Sequence, residues 1–258
     1  MIPAVSSIAT VDGQKVNIAS MADLVANMRR FIGARQGFCL FTLNLDHLVK
    51  RRDHAAFREA YGRATLVTAD GAPIVRLARR QGATLQRTTG ADLIHPLCAL
   101  AAETKTPLYF FGSTTAQFAA AANVLSAAHP GLIIAGYDSP PFGFDPQSSA
   151  ADAAGEAMAK AGTGLCLIAL GAPKQELLAD RWLQAHDDIG YCCIGAALDF
   201  IAGGQKRAPM AMQRLGLEWL WRLAQHPRRL AVRYSRCAML LARIEVATRL
   251  APKPRVSA

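Results

Sequence analysis

Six short apolar runs, each set off by longer stretches of helical periodicity, constrain this chain more than any other feature of its sequence. The runs are Phe38 to Leu43, Thr65 to Ala69, Leu108 to Phe111, Leu132 to Ala135, Leu165 to Leu170 and Tyr191 to Ile194. Unbroken apolar runs of this length suit strands covered on both faces, the condition of a parallel sheet held between helices. Helices are expected over Ala72 to Arg80, Ala91 to Glu103, Ala116 to Ala128, Ala150 to Ala161 and Lys174 to Ala185. An earlier helix opens at Ser20, with Asp23 three residues on as in a capping box. Asp138 to Gln147, with Pro140, Pro141, Gly143 and Pro146, reads as a loop. The pattern predicts an α/β fold, a Rossmann-like and largely parallel sheet with flanking helices. At 258 residues and 52% hydrophobic content, the chain is long enough for one such core.

After Gly203-Gly204 the character changes. Pro209 to Gln225 is expected as one helix and Arg228 to Leu250 as a second, interrupted at Pro227. The expected division is a core over 1–204 and a helical, basic, membrane-associating appendage over 205–258. The net charge of +10 follows that division: 12 of the 29 Lys and Arg residues but two of the 19 acids lie beyond Gly204, leaving 17 of each before it. Arg229, Arg233, Arg236 and Arg243 fall within roughly 80° of arc on the second helix and predict a basic face. Trp219 and Trp221 among leucines read either as packing on the body or as an anchor at an anionic membrane surface.

The six cysteines show no CxxC spacing and the histidines no HExxH, so no disulfide framework, metal or cofactor is expected. No run of 18 apolar residues is present. The expected location is the cytoplasm, peripheral on the inner face of the cell membrane. Both monomer and homo-oligomer stay open.

Open parallel sheets bind ligands beyond the carboxyl ends of their strands, and polar residues and glycines collect there. Thr42 and Asn44 follow the first run, and Asp70 with Gly71 the second. Gly112 and Ser113 follow the third, where a helix start can hold a phosphate. Gly171, Pro173, Lys174 and Gln175 open a helix whose positive end suits a nucleotide diphosphate. Gly195 to Asp199 follow the last run. A rigid strand-end carboxylate such as Asp70 fits a general base, and fits a plain helix cap equally well.

The stretches Thr42-Leu43-Asn44, Ala69-Asp70-Gly71, Arg87 to Asp92, Leu170 to Glu176, Gly195 to Phe200 and Lys206 to Pro209 together resemble the WecG/TagA/CpsF family of bacterial glycosyltransferases, as do Gly216 to Leu220 and Pro227 to Arg229. The resemblance runs from roughly Phe38 through Arg229, most of the chain. It implies a metal-independent inverting transferase that moves a sugar from a UDP-sugar donor to an undecaprenyl-diphosphate-linked sugar acceptor in polysaccharide or wall-polymer synthesis. N-acetylmannosamine, its uronic acid and glucose all occur as donor sugars. By position, Asp70 looks like the general base, with Thr42 and Asn44 beside it. Arg87 resembles a polar pocket residue, Gln175 and Asp199 resemble donor-binding residues, and Arg222, Arg229 and Arg233 resemble the tail arginines that close over the diphosphate. Leu45 and Asp46 stand where the family often has Pro and Glu.

Two other classes would leave different marks in the sequence. A nucleic-acid-binding protein would spread basic charge over its body, yet residues 1–204 are neutral, so no nucleic acid is expected. A nicotinamide-dependent oxidoreductase would carry GxGxxG after a strand, and none is present.

Overall fold

The computed structural model describes residues 2–204 and 207–250, apart from the side chains of Arg229 and of residues 248–250. An antiparallel ribbon of β1 (Ala9–Val11) and β2 (Gln14–Val16) leads into α1 (Met21–Gly33). Then follow β3 (Phe38–Leu43), α2 (Leu45–Asp53), α3 (Ala55–Arg63), β4 (Leu66–Ala69), α4 (Ala72–Arg79) and α5 (Gly90–Thr104). The second half runs β5 (Leu108–Gly112), α6 (Thr115–Ala128), β6 (Ile134–Asp138), α7 (Ser149–Lys160), β7 (Leu165–Ala169), α8 (Lys174–Ala185), β8 (Gly190–Cys193) and α9 (Ala197–Ile201). Three tail helices follow: α10 (Met210–Arg214), α11 (Glu218–Gln225) and α12 (Pro227–Leu250).

Strands β3 to β8 make one sheet, parallel throughout, in the order β4, β3, β8, β7, β5, β6. Alternation along the strands sends side chains to two separate cores. Cys39, Phe41 and Leu43 belong to one, with Tyr191 and Cys193, while Phe38 and Leu40 belong to the other, with Leu165 and Cys192. Both faces of the central strands are therefore buried, which is why they read as largely apolar runs. The strand order sets β4, β3, β8 and β7 side by side, so the segments leaving their carboxyl ends meet at one place.

Two expectations shift. The edge strand expected at Leu132 to Ala135 lies at Ile134–Asp138, where partly exposed residues blur the apolar signal. The single helix expected over Pro209 to Gln225 is two, α10 and α11, broken at Gly216. Gly216 has φ 72°, and a Cβ there would stand 2.8 Å from the Ala72 Cβ of α4, so the chain turns where it must pass closest to the body.

The tail shares the body's core. Leu230, Cys237 and Leu240 of α12 are buried, and Cys237 and Leu240 join the β3 core alongside Leu241 and Ile244. Arg233 Nη2 pairs with Asp46 Oδ2 of α2 at 2.9 Å, Arg236 pairs with Asp53, and Arg76 Nη2 reaches Glu245 Oε1 at 2.5 Å. The basic face expected to meet lipid thus turns in part toward acids of the protein itself. Beside it, Val232, Met239 and Val246, one heptad apart, form an exposed apolar stripe. Met210 of α10, Leu215 at its C-cap, and Trp219 and Leu220 of α11 are also exposed.

Candidate active site

A cleft of about 360 Å³ opens where the ends of β3, β4, β7 and β8 converge, roofed by α11 and α12. Its size is in the range of sites for nucleotide-sized ligands. Thr42, Asn44, Asp70, Gly171, Gln175, Arg222 and Arg233, all expected from the sequence, line it together.

Asn44 is the N-cap of α2: its Oδ1 accepts the His47 N–H at 3.1 Å, which leaves its Nδ2 to donate to Asp70 Oδ2 at 3.2 Å. Helix capping therefore fixes the orientation of the amide that donates to Asp70. Asp70 follows β4 and its own N–H bonds the Leu43 carbonyl at 2.7 Å, so the carboxylate stands on rigid backbone. It is not the N-cap of α4, a position held by Gly71. Burial pushes the Asp70 carboxyl up to about 6, against the opposing pull of the Asn44 amide and the Arg222 guanidinium. A carboxylate so poised is ionised at neutral pH and basic enough to accept a hydroxyl proton.

Behind Asn44, His47 is buried with its Nδ1 2.7 Å from Tyr61 Oη, and burial holds its imidazole down at about 3, in the neutral form. Gln175 is buried and fully engaged: Oε1 accepts the N–H groups of Gly171 and Gly195, both at 3.1 Å, and Nε2 donates to Glu176 Oε1 at 2.9 Å. It ties the turns after β7 and β8 to each other.

The tail supplies the opposite wall. Arg222 lies over the Phe200 ring, 5.9 Å from its centre, and forms no ion pair among the described residues. Arg233 and Lys50 share the Asp46 carboxylate. Burial works to raise Asp46, but those two cations outweigh it and hold the carboxyl below its usual range. Arg207 reaches Asp92, the N3 residue of the α5 capping box, and Glu218 Oε1 at 3.5 Å. Lys50, His47, Arg207, Glu218 and Tyr234 all line the cleft and were missed as candidates: Arg207, Glu218 and Tyr234 reach it only as the tail folds back, whereas Lys50 and His47 stand on α2, a helix the sequence pattern does not reveal.

Other candidates are placed elsewhere. Lys174 donates to the Phe144 carbonyl at 2.7 Å and so anchors the 138–147 loop. Pro173 is the N-cap of α8, outside the cleft lining. Gly112 serves packing, since a Cβ there would come within 2.6 Å of the Ala169 carbonyl oxygen of β7. Ser113 Oγ is 2.6 Å from Gln117 Oε1 and 3.1 Å from Asp199 Oδ1, which joins these residues to each other beside the cleft. Arg87 Nη1 sits 3.4 Å from Glu218 Oε1, one residue removed from the cavity. Arg229 falls on α12, but its side chain lies outside the described residues, as does Lys206. Among the described residues no group of three or more His, Cys, Asp or Glu is assembled that suits a metal ion, and no helix is long and apolar enough to cross a membrane.

A model of the glycosyl transferase family WecG/TagA/CpsF matches residues 9–255, nearly the whole chain.

Proposed function

The chain belongs to the WecG/TagA/CpsF family of glycosyltransferases, enzymes of cell-wall and polysaccharide synthesis, and from that premise we propose that it transfers a sugar from a UDP-sugar to a lipid-linked diphosphate sugar with inversion. The observation that supports this most directly is the facing of Asp70 by Arg222 across one cleft, a base on the body and a cation on the tail. The acceptor hydroxyl gives its proton to the Asp70 carboxylate as its oxygen bonds the anomeric carbon. The bond from that carbon to the UDP oxygen breaks on the opposite face, and the diphosphate leaves carrying the electron pair. Arg222, with Arg233 behind it, stabilises that charge through forked donors. Arginine suits this better than lysine because its planar fork can hold two phosphate oxygens at once. The donor sugar is N-acetylmannosamine, its uronic acid or glucose, and undecaprenyl is the proposed lipid. Transfer of label from a panel of UDP-sugars to a lipid-diphosphate acceptor analogue tests the assignment. Absence of transfer with every UDP-sugar would overturn it.

We further propose a peripheral site on the inner face of the membrane, supported by the exposed apolar stripe of α12 and the exposed Trp219 and Leu220 of α11. Apolar insertion carries this docking, with arginine at its margin adding about 1 kcal/mol per charge near an anionic surface.

Two outcomes follow from this chemistry. Because the leaving charge is met by side-chain cations, turnover should persist in excess EDTA; restoration by Mg²⁺ or Mn²⁺ after chelation would assign the charge to a metal instead. The pH dependence should show one acid limb. Asp70 acts only when ionised, so kcat/KM falls about tenfold per pH unit below about 6. Arg222 pulls that value down, so Arg222→Ala should move the limb to higher pH as well as lower the plateau. A limb that stays in place would show that Arg222 does not act on Asp70.

A further inference from the structure

Glu176 is wholly buried in the first turn of α8, yet it forms no ion pair among the described residues. Its Oε1 accepts the Gln175 Nε2–H at 2.9 Å, and its Oε2 has no hydrogen-bond partner there. A buried acid costs stability relative to an apolar side chain of equal volume unless its oxygens are engaged, and the engaged one here is Oε1. Its task is visible in Gln175. A glutamine amide has two ends of nearly the same shape, one accepting and one donating. Reversed, the amide would set its N–H groups against the Gly171 and Gly195 N–H groups and its oxygen against the Glu176 oxygen. A fixed acceptor at position 176 excludes that arrangement.

We infer that Glu176 is a positioning residue that acts through Gln175: by accepting from Nε2 it commits the Gln175 carbonyl to Gly171 and Gly195, and so holds together the two turns that floor the donor cleft. The identity of the ligand rests on the UDP-sugar reading, whereas the locking of the turns does not. Burial pushes the Glu176 carboxyl up to about 7, so an uncharged side chain at this position is consistent with its surroundings. Glutamine, with an acceptor at the same reach, should serve in its place.

The test measures UDP affinity by calorimetry and the exchange of the Gly171 and Gly195 amides by NMR in the unliganded protein. Glu176→Met should weaken UDP binding about 5- to 100-fold, the effect of leaving a buried donor without its partner, and speed exchange at both glycines. Glu176→Gln should rescue both to within about threefold of the wild type. In a Gln175→Met background, Glu176→Met should add less than about twofold, because residues acting in series are not additive. An equal loss in both backgrounds would make Glu176 a packing residue only and overturn the inference. If Glu176→Met does not fold, Glu176→Asp takes its place: one methylene shorter, it should lose the lock, and wild-type exchange in that variant would overturn the inference. A wild-type protein that fails to bind UDP refutes the donor reading alone, and the glycine exchange rates still decide the role of Glu176.

Discussion

Asp70→Asn is expected to lower kcat by about 10²- to 10⁴-fold, the usual contribution of a general base, with UDP affinity within about twofold of the wild type. Asparagine keeps the shape of the side chain and an oxygen that can accept from Asn44 Nδ2, so the β4 end and the α2 cap should keep their geometry. What is lost is the capacity to take a proton. The split between kcat and UDP binding separates this role from a structural one, because a collapsed cleft would weaken both. Initial rates with labelled donor and UDP titration by calorimetry check it. Wild-type turnover in the variant would remove Asp70 from the chemistry, and a parallel loss of UDP binding would make it a scaffold residue.

Truncation after Ala208 should abolish turnover, abolish vesicle binding and lower stability together. The cleft loses Glu218, Trp221, Arg222 and Arg233, and with them the cationic wall. The core loses Leu230 and Leu240, each contributing roughly 1.5–3 kcal/mol when fully buried, whereas the half-exposed Arg236–Asp53 pair contributes at most about 1 kcal/mol. A loss of that order can be survived by a domain stable by about 5–15 kcal/mol, so the body should stay folded with a lower melting temperature. The two functional losses can be separated. Val232→Asp with Met239→Asp places charge on the apolar stripe and should release the protein from anionic vesicles, leaving turnover on a soluble acceptor analogue intact. If the truncated body is fully active on that analogue, the tail is an anchor alone and its share in the active site is refuted.

The sheet was legible because both its faces are covered. Leu165–Ala169 is apolar at every position and Phe38–Leu43 at every position but Thr42, and a run of that kind bounded by turn residues reads most simply as a buried strand. Helix α8 was legible to its ends for a related reason, with Pro173 before it and His186 after it. Segments stabilised by particular neighbours were not. No element was assigned to residues 45–63, yet two helices lie there; Leu45–Asp53 is rich in charge, and its Asp46 and Asp53 find their partners on α12, far away in sequence. The Asp12-Gly13 hairpin joins strands of three residues each, too short for alternation to be seen. The break at Gly216 depends on contact with Ala72, which no local pattern records. In the cleft, residues at strand ends were found by rule, whereas Lys174 and Ser113 turned to other partners because reach alone does not say which acceptor a donor will meet. Glu218 shows the converse, since it gains its place only when the tail folds back.

That folding back also gives the protein an order in time. On the ribosome, Asn44 and Asp70 emerge long before Arg222 and Arg233, so on the proposed mechanism a nascent chain carries a base with no counterpart for the leaving group. The stripe bearing Val232, Met239 and Val246 is made later still. Residues 218 to 246 therefore complete the cleft and create the apolar surface almost together. On the proposed mechanism, a chain cut short by premature release would be silent instead of active in the wrong place.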